Sequence, residues 1–150
     1  MSEFEFLNPS EEDLGAIYRL ELECFSEDAY NPQILLFYLK LFREGFIIAR
    51  DRSGRIVGYV IGIVEGGGVG HVISICVSGG YRRRGLGRML MKTIEEYFRR
   101  KGACISRLEV RISNEAALNL YRSLGYEERD ILRSYYSNGE DAYLMYKKLC

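Results

Sequence analysis

The chain has no tryptophan, only two prolines and one histidine, His71, in 150 residues. Its four cysteines (Cys24, Cys76, Cys104 and Cys150) form no CxxC pair. Without metal-ligand spacing neither a zinc centre nor a dithiol redox motif is expected, and no metal is assigned. No apolar run approaches the roughly 18 residues of a membrane span. The acidic start, MSEFEFLNPSEED, lacks a signal-peptide core, which points to a cytoplasmic protein. The formal net charge is zero, unlike the basic balance of a dedicated nucleic-acid binder. Repeats, low-complexity tracts and linkers are absent. Apolar residues at 47% and charged residues at 28% exclude a disordered chain, and the length suits one domain over residues 1–150. Whether the cysteines pair is open, since cytoplasmic disulfides belong mainly to hyperthermophiles. Cys76, among apolar neighbours, reads as a packed thiol.

Charge is unevenly spread. Residues 1–30 carry nine acids and one base, whereas residues 81–101 carry eight bases and two acids. Period-two alternation predicts a strand over 3–8, and Ser10, three residues before Asp13, opens a helix to about residue 24. Its stripe is Leu14, Ile17, Tyr18, Leu20, Glu21 and Cys24. A loop over 26–32 and a helix over 33–43 follow. Strands are predicted over 45–50, 56–64 and 71–77, joined by a turn at 51–55 and a glycine-rich connection at 65–70. A helix from Gly85 to about Lys101 ends at Gly102, a strand covers 104–111, and Ser113 or Asn114 caps a helix ending near Leu124. Two strands, 126–133 and 141–149, flank a Ser137-Asn138-Gly139 turn. The order β-α-α-β-β-β-α-β-α-β-β, mixing hairpins with a β-α-β-α segment, is an α/β fold with a mixed sheet.

The most informative stretch is Ser74 to Met91, SICVSGGYRRRGLGRMLM, in which an apolar strand runs into arginines and G-L-G at a helix start. A helix N-terminus presents unpaired amide hydrogens and about half a positive charge. Glycines let a ligand approach those amides, and Arg82, Arg83, Arg84 and Arg88 add full charges. That is the chemistry of a pyrophosphate site. A Walker loop lacks its lysine here, and the dinucleotide fingerprint fails where Leu90 stands.

R-R-x-G-x-G between a strand and a helix resembles the coenzyme A loop of the GNAT N-acetyltransferase superfamily. The resemblance continues through LEVRISNEAALNLYRSLGY (108–126), with Asn114 and Tyr121 at characteristic positions. SYYSNGEDAYLMY (134–146) resembles the C-terminal hairpin of protein N-terminal acetyltransferases, a group with a bacterial enzyme for ribosomal-protein alanine and broader archaeal relatives. The segment GHVISICV (70–77) looks more like the archaeal and eukaryotic catalytic subunits. The short 65–70 loop and Gly80 depart from relatives.

The resemblance implies a mostly antiparallel mixed sheet with a central splayed parallel strand pair and about four helices. It implies acetyl-CoA as cosubstrate, with pantetheine along Ile75, Cys76 and Val77 and a backbone N–H near Cys76 or Val77 polarising the acetyl carbonyl. Arg83, Arg84, Gly85, Leu86, Gly87 and Arg88 would hold the pyrophosphate, and Asn114 the pantetheine arm. Tyr121, seven residues and two turns beyond Asn114, would be the acid that protonates the leaving thiolate. The base is left among Glu109, His71 and Glu27. Tyr30, Tyr135 and Tyr136 would close over the acceptor. The implied activity is acetyl transfer to the α-amine of protein N-termini by direct attack in a ternary complex, with ribosomal proteins or the ribosome as candidate partners. Its rivals are acetylation of a small amine, such as a polyamine or antibiotic, and a non-catalytic module binding coenzyme A or nucleic acid. By residue type alone, Glu109 is equally a strand carboxylate paired with Arg107 or Arg111, Asn114 a helix cap, and Tyr121 a core tyrosine.

Overall fold

The computed structural model describes residues 3–150. Its elements are β1 (Glu5–Leu7), α1 (Leu14–Phe25), α2 (Pro32–Leu41), β2 (Phe46–Arg50), β3 (Ile56–Glu65), β4 (Val69–Val77), α3 (Leu86–Arg100), β5 (Ile105–Arg111), α4 (Glu115–Ser123), β6 (Glu127–Leu132) and β7 (Ala142–Lys148). The seven strands form one sheet in the order β1-β2-β3-β4-β5-β7-β6. Only β4 and β5 run parallel. The mixed sheet, the four helices and the element order agree with the sequence expectation.

Boundaries follow local chemistry. Ser10 and Asp13 make a reciprocal capping box ahead of α1. α2 begins at Pro32, one residue earlier than expected, because Asn31 accepts from the Ile34 amide and proline suits the first helical position. It ends at Leu41 because Phe42 leaves helical geometry. The glycine-rich connection is tighter than its sequence suggests: β3 and β4 pair from Glu65 to Val69, with Gly67 and Gly68 at positive φ.

α3 and α4 cover one face of the sheet, where Leu90, Ile94, Phe98, Leu118 and Tyr121 share a buried cluster with Val60, Val72 and Leu108. α1 and α2 cover the other, where Ile17, Leu20, Leu35 and Leu39 pack on Phe46, Ile48, Tyr59 and Cys76. A Cβ at Gly70 would come within 2.3 Å of the Phe98 ring, so that glycine is what lets α3 lie close to β4.

Two irregularities in β4 create the site. Its ladder to β5 consists of Val69↔Ile105, Gly70↔Ser106 and His71↔Arg107, and then the strands part. Against β3, Ile61 faces Ser74 while Gly62 faces Val72, so Ile73 is an extra, bulged residue. The bulge switches faces. Val72 packs under α3, whereas Cys76, four residues on, packs under α1.

The expectation of a packed Cys76 thiol is corrected: Cys76 is disulfide-bonded to Cys24, and Cys104 to Cys150. The bridges join residues 52 and 46 positions apart, with Cα atoms 6.0 and 4.9 Å apart, inside bridging range. Sequence spacing hid the pairs because each joins elements that only the folded chain brings together. Reduction is expected to lower the melting temperature, since closing loops of this length stabilises by up to about 4 kcal/mol each in the chain-entropy model. Equal thermal transitions with and without reductant would contradict this. Among the described residues no helix is long and apolar enough to cross a membrane.

Candidate functional site

Where β4 and β5 diverge they enclose a cavity of about 280 Å³. Its walls are Val72, Ile73, Ser74 and Ile75 of β4 and Leu108, Glu109, Val110 and Arg111 of β5. Asn114 and Tyr121 of α4 close one side, and Glu21, Asp28, Tyr30, Tyr135 and Tyr136 the other. Both strand backbones lack a ladder partner along this gap. An extended ligand could therefore lie between them and hydrogen-bond like an added strand.

The bases at the start of α3 lie beyond the open end of β4. Gly85 takes φ +78° and Arg83 φ +66°, two left-handed positions that flank Arg84 at the start of α3. The amides of Leu86, Gly87 and Arg88 open the helix. Leu86 contributes only backbone, because its side chain is core. Arg84 pairs with Glu3 at 3.1 Å and stacks on Tyr81, Arg88 bonds Ser123 Oγ at 2.6 Å, and Arg83 has no ion-pair partner among the described residues. A Cβ at Gly87 would approach Leu120 Cδ2 to 3.2 Å, so the loop also needs glycine for packing on α4. Gly87→Asp is expected to weaken acetyl-CoA binding by about tenfold or more, about 1.4 kcal/mol, with Gly87→Ala separating the tight contact from the opposing charge. Calorimetry giving wild-type affinity for Gly87→Asp would remove this loop from the cofactor site.

Asn114 caps α4, accepting from the Ala117 amide at 3.1 Å, while still lining the cavity. Tyr121, on the same helix face, is 93% buried and packs edge-on to Tyr126. Burial pushes its phenol well above the ordinary range, so the hydroxyl stays protonated. Ile75 faces the cavity, whereas the Cys76 side chain points to α1 through its disulfide.

Alternation along β5 puts Leu108 and Val110 into the core under α3 and leaves Arg107, Glu109 and Arg111 on the opposite face. Glu109 Oε1 lies 2.8 Å from His71 Nε2. Burial, and then the nearby Glu109 carboxylate, raise the Tyr135 pKa. His71 and Glu109, two of the three candidate bases, are thus one hydrogen-bonded pair. Glu27 is not brought in: its side chain is exposed, and its neighbour Asp28 lines the cavity instead.

Sequence reasoning missed Arg111 as a bridge. It donates to Asp28 from the α1–α2 connection and to Glu140 at 3.0 Å and Asn138 at 3.2 Å from the β6–β7 turn. Its guanidinium lies 3.9 Å over the Tyr136 ring. Asp28 also accepts from the Ser137 amide, and hydrogen bonds to Ser137 lead the causes that hold its carboxyl below the usual range. The two tyrosine-bearing segments are therefore clasped together. Glu21, also missed, is 1% exposed and accepts from Tyr59, from the Tyr30 amide at 2.9 Å and from Ser74. It pins the Tyr30 segment to the sheet, and its own burial raises its pKa.

Residues 14–126 match the model of the acetyltransferase (GNAT) family. An N-alpha-acetyltransferase of Sulfurisphaera tokodaii is 35% identical over 158 residues, covering 95% of this chain and 92% of that protein. Among solved structures, Ard1 from Thermoplasma volcanium superposes with a TM-score of 0.92 at 24% identity over 99% of both chains. The ribosomal-protein-S18-alanine N-acetyltransferase from Escherichia coli superposes with a TM-score of 0.84 at 28% identity, covering 97% of this chain and 94% of that one.

Proposed function

This chain belongs to the GNAT acetyltransferase family, and from that premise we propose that it transfers acetyl from acetyl-CoA to the α-amino group of protein N-termini. The observation that carries the proposal is the clasped roof. Tyr30, Tyr135 and Tyr136, on two segments that Arg111 ties together, line the gap between β4 and β5 on the face that bears Glu109 and His71. Such a roof suits an extended peptide end.

In the proposed reaction acetyl-CoA lies in the strand gap, with its pyrophosphate at Arg83–Arg88 and its pantetheine arm between β4 and Asn114. The acceptor amine attacks the thioester carbon and the carbon–sulfur bond breaks. Tyr121 gives its proton to the leaving thiolate, and the amine's proton passes to Glu109. A backbone N–H near Cys76 or Val77 stabilises the charge that grows on the carbonyl oxygen. With Asp28 paired to Arg111, Glu109 is the lining carboxylate that gives the cavity its acidic bias toward a cationic amine.

We extend the proposal to a cytoplasmic setting, with ribosomal proteins among the acceptors. The test is coenzyme A release over a panel of peptides and small amines. Turnover is expected with peptides beginning with a small residue or Met. Turnover confined to spermidine-like amines would transfer the site to the small-amine class, and no turnover at all would leave a binding module.

A further inference from the structure

The two ring nitrogens of His71 face opposite chemistry. Nε2 lies 2.8 Å from Glu109 Oε1, whereas Nδ1 lies 3.2 Å from Arg107 Nη2 and 3.5 Å from Glu65 Oε2. A guanidinium has only N–H groups to offer, so a hydrogen bond to Nδ1 requires that nitrogen to be unprotonated. The ring proton then belongs on Nε2, which donates to Glu109. The same Nη2 reaches Glu65 at 3.2 Å, so its two hydrogens serve Glu65 and Nδ1. Glu65 is thereby engaged by the arginine and does not draw a proton onto the ring. Arg107 Nε is buried without a partner among the described residues, which leaves Nη2 as the end that fixes the guanidinium here. The charged and titratable groups around this ring and its partner are Glu65 from β3, Arg107 and Glu109 from β5, and, near Glu109, Tyr30 from the α1–α2 connection with Tyr135 and Tyr136 from the β6–β7 turn. His71 and Arg107 are also the last paired residues before the strands part.

We propose that Arg107, braced by Glu65, locks His71 as the neutral Nε2–H tautomer, so that His71 orients Glu109 and Glu109 alone is open to accept the proton of the acceptor amine. His71 and Arg107 are then positioning residues. With a neutral ring, Glu65, Arg107 and Glu109 sum to one negative charge, which an imidazolium would cancel, and that residual charge favours arrival of a cationic amine. The catalytic half rests on the acetyltransferase proposal above, while the tautomer half stands without it.

Because the chain holds a single histidine, nitrogen-15 NMR of histidine-labelled protein reads this ring alone. At pH 7.5 the expected spectrum has a pyrrole-type Nε2 and a pyridine-type Nδ1. An Nδ1–H tautomer, or two pyrrole-type nitrogens, overturns the proposal even if no variant folds. Arg107→Met leaves Nδ1 facing Glu65 and is expected to protonate it, while Arg107→Lys, which keeps a donor, is expected to restore the wild-type pattern. An unchanged tautomer in a folded Arg107→Met protein overturns Arg107 as the lock. In peptide assays Arg107→Met is expected to lower kcat by about tenfold, less than the roughly 10²–10⁴-fold worth of the base itself, with KM for acetyl-CoA unchanged. Unchanged kcat and an unaltered pH profile in that variant would overturn the catalytic half. Absence of acetyl transfer by the wild-type protein would instead remove the acetyltransferase proposal and leave the tautomer result standing.

Discussion

Tyr121→Phe is expected to lower kcat by about 10²–10⁴-fold while leaving acetyl-CoA affinity close to wild type. The substitution keeps the ring, and with it the packing against Tyr126 and the buried cluster under α3, so the fold has little to lose. What it removes is the proton. Tyr121 lines the cavity, and burial raises its pKa, so in the resting protein the group is a neutral phenol. A neutral phenol in a low-dielectric wall is a poor anion but a suitable donor to a thiolate that forms beside it. Single-turnover kinetics with saturating peptide, set beside calorimetry with acetyl-CoA, separates the two quantities. A wild-type kcat would leave Tyr121 as a packing residue, and a large loss of acetyl-CoA affinity would make it a binding residue.

Glu109→Gln is expected to act differently in kind. The amide oxygen can still accept from His71 Nε2, so the local geometry survives, but the side chain no longer takes a proton. A peptide α-amine has a pKa of about 7.7–8.0, so below that range most acceptor arrives protonated and must be deprotonated at the site. The deficit should therefore be largest at low pH, within the roughly 10²–10⁴-fold of a positioned base, and should shrink as pH rises and free amine predominates. A deficit that stays flat across pH would move the base away from Glu109. Glu27→Gln is expected to change nothing, since that side chain is exposed outside the cavity.

Much of the fold was legible in the sequence because its signals are local. The apolar spacing of α3, the glycine at its start and at its end, and the alternation of Arg107 to Arg111 each mark an element from within a few residues. The β4 bulge was not legible. VISICV reads as an uninterrupted strand, and only its pairing with β3 shows that Ile73 is extra and that the facing residues switch sides. The disulfides were hidden for the same reason, each joining positions far apart in sequence that meet only in the folded chain.

The site divides in the same way. The positions of Asn114 and Tyr121 were legible because both come from one helix: they lie two turns apart on one face, and both line the cavity. The supporting polar residues were missed because their partners are distant in sequence. Arg111 reaches back 83 residues to Asp28, and Glu21 reaches forward 53 to Ser74. Glu21 did leave a trace, an acid standing within the apolar stripe of α1, and Arg111 another, on the same strand face as Glu109. Glu27 shows the reverse case. A resemblance placed it at the site, but the turn after α1 directs Asp28 into the cavity and leaves Glu27 in solvent.

The most direct measurement uses one peptide that carries both a free α-amine on a small first residue and an internal lysine. The protein is incubated with acetyl-CoA, and the product is fragmented by tandem mass spectrometry to locate the added acetyl group. The expected result is acetyl on the first residue with the lysine unmodified. Acetyl on the lysine side chain, with the α-amine free, would contradict Nα-acetyltransferase activity.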